Sequence, residues 1–75
     1  MDNLKNEDVK KYISKKTLQA RKECNLTQSE LASRTGINQT QICNLEKGLA
    51  NPTVKKLKKI ADGLNMDLEI NFKKR

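Results

Sequence analysis

Five side chains in one short stretch have the types and the spacing to read another molecule by hydrogen bonding. Gln39, Thr40, Cys43, Asn44 and Lys47 recur at steps of one, three and four, which gathers them on one face of a helix. A merely solvated helix face usually carries Lys and Glu. This one carries amides and a hydroxyl, with a single positive charge at its end. Gln and Asn present a donor and an acceptor together, which matches the N6/N7 edge of adenine. For any one of these residues alone, a solvated polar surface is the plainer account.

Other chemistry finds little support. There is no His, no glycine-rich phosphate loop and no nucleophile–base pair, so neither catalysis nor a cofactor is expected. Cys24 and Cys43 fall on different expected helices without a C-x-x-C spacing, so the Cys/His zinc patterns are absent and no metal is expected. In a reducing cytosol both are expected as free thiols. Oxidation of Cys43 would obstruct the polar face, but no resolving cysteine lies near it in the pattern.

The elements that must position this face are written into residues 26–48. Thr27 followed by Glu30 is a capping box, and Leu26 with Leu31 is a hydrophobic staple. The device repeats with Asn38 and Gln41, and with Ile37 and Ile42. Gly36 lies between, where a left-handed residue would stop the first of two helices. Two helix starts eleven residues apart have the spacing of a helix-turn-helix, whose second helix enters the DNA major groove. The expected helices span 28–35 and 39–47. Leu31, Ala32, Ile42 and Leu45 point inward.

Upstream, Val9, Ile13, Thr17, Ala20 and Cys24 form an apolar stripe that predicts a helix over 7–24. Asn6 is its expected cap, Glu7 and Asp8 favour its first turn, and Asn25 is suited to the left-handed stop. Downstream, Asn51-Pro52 forms a loop, and Thr53 caps a helix over 54–64. Val54, Leu57, Ile60, Ala61 and Leu64 form the apolar face of that helix, and Lys55 and Lys56 near its start are candidate phosphate contacts. Gly63 reads as a weakness in its last turn. Then the period changes. Met66, Leu68, Ile70 and Phe72 alternate with polar residues, as in a half-buried strand. A lone strand leaves its backbone unsatisfied. Leu68, Ile70 and Phe72 are therefore expected to pair with a second copy, and the resulting dimer would space two reading helices about 34 Å apart. An extended tail packed on its own domain is the alternative.

Composition agrees with a small basic binding domain. Seventy-five residues make one domain at most, divided here into 1–65 and a tail of 66–75. The net charge is +7. The positive excess lies in residues 1–24 and 52–75, flanking a central stretch where Arg34 and Lys47 balance Glu30 and Glu46. Such a balance suggests an anionic partner, nucleic acid above all; a solvated Lys-rich surface would give the same charge. No run approaches the roughly 18 apolar residues of a membrane span, and the expected location is the cytoplasm.

Arg21, Leu26-Thr27-Gln28, Glu30-Leu31-Ala32, Gly36-Ile37, Ile42, Glu46, Gly48, Pro52 and Ile60-Ala61 together resemble the Cro/phage-repressor (XRE-like) helix-turn-helix family, over about residues 17–65. Thr17 and Ala20 stand where larger apolar residues are common, Asn25 where Gly is usual, and Cys43 where most members carry another polar residue. The resemblance implies a mainly α, four-helix lambda-repressor-like domain from a bacterium or phage. Gln28 would hold a phosphate and brace Gln39, while Gln39, Thr40 and Asn44 would read base edges. Thr27, Asn38, Lys47, Asn51 and Thr53 would lie near the DNA backbone, and Arg21 and Glu46 would form a structural ion pair. The tail is similar to antitoxins of the host-inhibition-of-growth and persistence classes, which silence their own operon and hold a toxin. The expected function is a homodimeric, sequence-specific regulator of a palindromic double-stranded operator. Neutralising a toxin protein is the alternative. No small-molecule effector is expected.

Overall fold

The computed structural model describes the backbone of residues 6–74 and the side chains of residues 8–74. Four helices follow one another: α1 (Asn6–Glu23), α2 (Gln28–Thr35), α3 (Gln39–Glu46) and α4 (Val54–Gly63). The expected boundaries fall within one residue of these. The expectations for the side chains of Asn6 and Glu7, and for residues 1–5 and 75, lie outside the described residues.

The starts of α2, α3 and α4 and the ends of all four helices have local reasons. Thr27 Oγ1 accepts from the Glu30 N–H at 3.0 Å, and the Glu30 carboxylate accepts from the Thr27 N–H at 2.9 Å, which completes the expected capping box. These bonds, the one from the Thr27 backbone first, hold the Glu30 carboxyl below the usual carboxylate range. The second box does not form. Asn38 Oδ1 accepts from Thr40 N–H at 2.7 Å, two residues ahead rather than three, the turn that a short Asn side chain makes most easily. Gln41 returns no bond to Asn38 among the described residues. Three helices close alike, through a left-handed residue whose N–H and that of its successor both fold back. Asn25 (φ 56°), Gly48 (φ 76°) and Asn65 (φ 56°) take that place after α1, α3 and α4. Leu26 N–H, Leu49 N–H and Met66 N–H then donate to the carbonyls of Arg21, Asn44 and Ala61. Gly36 (φ 73°) stops α2 with a bond from its N–H to Ala32 O at 2.9 Å.

The core is aliphatic. Leu26, Leu31, Ile37, Ile42, Leu45, Ile60 and Leu64 form one buried cluster, which includes both staple pairs. The stripe of α1 is shifted from expectation. Ile13, Ala20 and Cys24 do pack on the cluster, but Val9 stays 36% exposed and Ser14 is buried beside Thr17. The buried Ser14 hydroxyl is satisfied within α1, donating to Lys11 O at 2.7 Å. A Cβ built on Gly48 would sit 3.7 Å from Ser14 Oγ. Val54, expected on the apolar face of α4, is also largely exposed.

Gly63 is a packing requirement rather than a weakness. A Cβ there would lie 2.6 Å from Thr35 Cγ2. That methyl cannot swing aside cheaply, because Thr35 Oγ1 donates to Leu31 O at 2.9 Å and accepts from Ile37 N–H at 3.1 Å. The close crossing of α4 over the end of α2 thus fixes the turn that leads into α3.

α3 is tied to α1 by an ion pair. Arg21 Nε donates to Glu46 Oε2 at 2.7 Å and Nη2 to Oε1 at 2.8 Å, while Nη1 donates to Leu26 O at 2.7 Å. Gln28 Nε2 adds a bond to Glu46 Oε1 at 3.0 Å. The two charged side chains are only 12% and 4% exposed. Burial pushes the Glu46 carboxyl upward, but the bonds from Arg21 and Gln28 and the charges of Arg21 and Lys22 outweigh it, leaving it below its ordinary value.

The expected strand is absent: residues 66–74 are neither helix nor strand. A strand exists through its ladder, and the described residues supply no second strand. Met66 packs on the core and Leu68 is half-buried, whereas Ile70 is 56% and Phe72 98% exposed.

Two outcomes follow for stability. Replacing Glu46 with Ala should cost about 3 kcal/mol, since Arg21 is left without its partner; chemical denaturation reads this directly. Because the folded-state pKa of Glu46 is depressed, its contribution is present above the unfolded value of about 4.3 and lost as pH falls through the folded one. The stability gap between the parent chain and Glu46→Gln should therefore shrink on acidification below that value. Gly63→Ala should lower stability by about 1–3 kcal/mol despite the better helix propensity of Ala. Adding Thr35→Ser, which removes the obstructing methyl and keeps the hydroxyl, should recover part of that loss.

Candidate nucleic-acid interface

α3 presents the face on which the sequence converges. Ile42 and Leu45 are buried beneath it. Gln39, Thr40 and Lys47 are exposed, and Cys43 and Asn44 are half-buried at the edge of the same row. Among the described residues, none of these five side chains makes a hydrogen bond or ion pair within the chain. Their amides and hydroxyl keep their full donor and acceptor capacity for a ligand. Gln41, read from the sequence as a capping residue, is exposed on α3 with no such bond either.

The residues flanking this row fall into three kinds. Thr27, Asn38 and Thr53 are N-caps of α2, α3 and α4, with their side-chain oxygens accepting from Glu30, Thr40 and Lys56. Each retains a donor, the hydroxyl hydrogen or the Asn38 amide, at a helix end where unpaired N–H groups and the positive end of the dipole gather. Such ends favour phosphate oxygens. Gln28 is different: it is half-buried and its amide nitrogen is committed to Glu46. No bond joins it to Gln39 among the described residues. Its carbonyl oxygen and second N–H remain available. Arg21 and Glu46 meet as expected from the family pattern and hold the base of the row in place.

The cations form the third kind. Lys47 and Lys55 are exposed, as is the neutral Asn51 beside them in the loop before α4, and Lys56 is half-buried. On α4, Lys58 Nζ meets Asp62 at 2.6 Å, and this contact raises the Lys58 pKa. Its charge is thereby partly compensated, whereas Lys55 and Lys56 have no carboxylate partner among the described residues. The sequence singles out Lys55 and Lys56 by their place near the helix start; the i,i+4 position of Asp62 is a second signal that sets Lys58 apart. Arg34 Nη1 lies 3.4 Å from Gly63 O.

The two cysteines are free and half-buried. Cys24 Sγ donates to Leu64 O at 3.5 Å, at the junction of α1 and α4, while Cys43 sits on the row itself. Among the described residues no group of His, Cys, Asp and Glu could hold a metal ion, and no helix is long and apolar enough to cross a membrane. Leu68, Ile70 and Phe72 lie away from the row in sequence, in the chain after α4.

Comparison with known proteins bears on this geometry. A family model described as helix-turn-helix matches residues 18–71. The chain is 36% identical over 59 residues to an uncharacterized HTH-type transcriptional regulator, y4dJ, of Sinorhizobium fredii, covering 79% of this chain and 77% of that protein. It is 45% identical over 52 residues to an uncharacterized HTH-type transcriptional regulator of Archaeoglobus fulgidus, covering 69% and 73%. No solved structure matches. The matched names speak of transcriptional regulation and not of toxin neutralisation. A capped α2, a left-handed turn, and an α3 with an unengaged polar face are the parts this family is named for, and the chain belongs to the helix-turn-helix family of DNA-binding transcriptional regulators.

Proposed function

We propose that the protein is a dimeric repressor that reads a palindromic site in double-stranded DNA by laying α3 in the major groove. The observation that carries this reading is the row of Gln39, Thr40 and Asn44, whose hydrogen-bonding groups have no partner among the described residues, whereas the flanking Thr27, Gln28, Asn38, Glu46 and Thr53 side chains are engaged in caps or in the ion-pair cluster. Gln39 and Asn44 are suited to adenine edges and Thr40 to a base edge or a thymine methyl. Cys43 contributes a small side chain to the same row. Thr27, Asn38, Thr53 and Asn51 supply neutral donors to phosphates on either side. Lys47, Lys55 and Lys56 supply charge, and Gln28 supplies a second N–H. The reading assigns the protein no reaction and no cofactor, and places it in the cytoplasm.

Dimerisation is supported by the tail. Ile70 and Phe72 stand exposed on residues that alternate like a strand, and covering each would contribute roughly 1.5–3 kcal/mol. An antitoxin reading adds a toxin protein as a further partner of the same exposed tail. Co-purification with the product of a small neighbouring gene tests it, and two separate elution peaks would count against it.

Base readers and phosphate holders differ in what they do to specificity. Gln39→Ala should weaken binding to the cognate duplex by about 1–3 kcal/mol and relax preference at one base pair. Lys47→Ala should weaken binding to all duplexes alike and reduce the slope of log affinity against log salt by about 1. Competition titrations on the gene's own upstream region and on scrambled duplex, at two salt concentrations, read both. Equal losses on every sequence from both variants would sink the base-reading assignment.

A further inference from the structure

We infer that Lys11, Lys15 and Lys22 form a track along α1 that holds phosphates of double-stranded DNA beside the groove entered by α3, whatever the sequence there. The inference rests on the DNA-reading function proposed above and adds a second, sequence-independent surface to it. Steps of four and seven put the three lysines on one flank of the helix, and all three are exposed. The stretch that matches the helix-turn-helix family begins at residue 18. Lys11 and Lys15 therefore belong to the part of α1, residues 6–17, that precedes it.

Packing fixes which way this flank faces. Ser14, next to Lys15, is buried, and a Cβ built on Gly48 would lie 3.7 Å from its hydroxyl. Arg21, next to Lys22, reaches Glu46 at the end of α3, and the charge of Lys22 itself helps to hold the Glu46 carboxyl down. Leu18 is half-buried between these two contacts. The flank thus borders the C-terminal end of α3, where Lys47 is exposed, and continues the reading surface there. At about 1.5 Å per residue, Lys11 and Lys22 stand roughly 16 Å apart along the helix. Phosphates of one strand advance about 3.4 Å each along the duplex, so the track has the reach of several.

The two exposed flanks of α1 differ in kind. On the other one, Lys16 Nζ lies over the Tyr12 ring, 5.6 Å from its centre, and Gln19 Nε2 donates to Glu23 Oε1 at 3.2 Å. Those side chains are engaged with one another. Among the described residues, the side chains of Lys15 and Lys22 make no hydrogen bond or ion pair, and neither has a carboxylate three or four positions away. Asp8 stands at the start of the flank, in the first turn, where it complements the helix dipole. A solvated Lys-rich surface would interleave both signs along the flank; this one concentrates positive charge beside α3, which complements a polyanion.

The test is the salt dependence of binding by the full chain, on a duplex from the gene's own upstream region and on scrambled duplex. Lys15→Gln and Lys16→Gln remove the same charge from adjacent residues on different flanks, and Gln suits a helix about as well as Lys. Lys15→Gln should reduce the slope of log affinity against log salt by about 1 per bound chain on both duplexes, and Lys16→Gln should leave it unchanged. The triple variant Lys11→Gln, Lys15→Gln, Lys22→Gln should reduce it by about 3, and Arg at the same three positions should keep the parent slope. Equal reductions from positions 15 and 16 would overturn the track in favour of net charge alone. An unchanged slope in the Gln triple variant would overturn it outright. Because the readout needs no preferred sequence, a slope that falls on both duplexes while neither is preferred would support the track and fail the repressor reading. A preferred duplex with an unchanged slope would do the reverse.

Discussion

Arg21 reaches from the last turn of α1 to three acceptors in two other parts of the chain: both oxygens of Glu46 at the end of α3, and the carbonyl of Leu26 at the entry to α2. Gln28, the first residue of α2, approaches the same carboxylate from another side. A planar guanidinium with donors in a fixed fork satisfies such a set only when all three elements hold one relative placement. Buried ion pairs are often no more stabilising than apolar packing of the same shape. What this one contributes is orientation. The C-terminal end of α3 is fixed through Glu46, its N-terminal end through the turn held by Thr35 and Gly63, and its inner face through Ile42 and Leu45.

That arrangement separates two sets of polar groups. Those on the inside of the helix-turn-helix are all engaged with one another, and no buried side-chain nitrogen or oxygen is left without a partner among the described residues. Those on the outer row of α3 are engaged with nothing among the described residues. A ligand approaching the row therefore displaces water only, and no internal bond must break for it to be read. Gln28 sits at the boundary between the two sets. It belongs to the interior through one N–H and to the surface through the rest of its amide, so contact with a phosphate would be felt at Glu46.

Much of this was legible because it is local. Helix starts at Thr27, Asn38 and Thr53 and stops at Asn25, Gly36 and Gly48 depend on residues within a few positions of one another, and short-range spacing records them. The outer row of α3 was legible for the same reason: one period of the helix defines it. What stayed hidden involves residues distant in sequence. Gly63 reads as a weak helix former until Thr35, far upstream, is seen pressed against it. Ser14 looks like a solvent residue, yet it is buried with its hydroxyl bonded to Lys11 O, while Val9 on the expected stripe stays 36% exposed. Asn38 was given the wrong partner by one residue because a capping box and a shorter Asx turn share the same first letter. The alternation of the tail reads as a strand, but a strand exists through its ladder, and no second strand lies among the described residues.

The contact between Gly63 and Thr35 also constrains how this sequence can change over time. The two positions lie on different helices, yet residue 63 cannot gain a side chain until residue 35 has lost its methyl. A side chain at 63 fits only where residue 35 has no γ-methyl, and residue 35 cannot lose its hydroxyl without freeing the turn into α3. Neutral change is thus channelled through a Ser intermediate at position 35. Among relatives that share this crossing, a larger residue in place of the α4 glycine should accompany a smaller one at the end of α2.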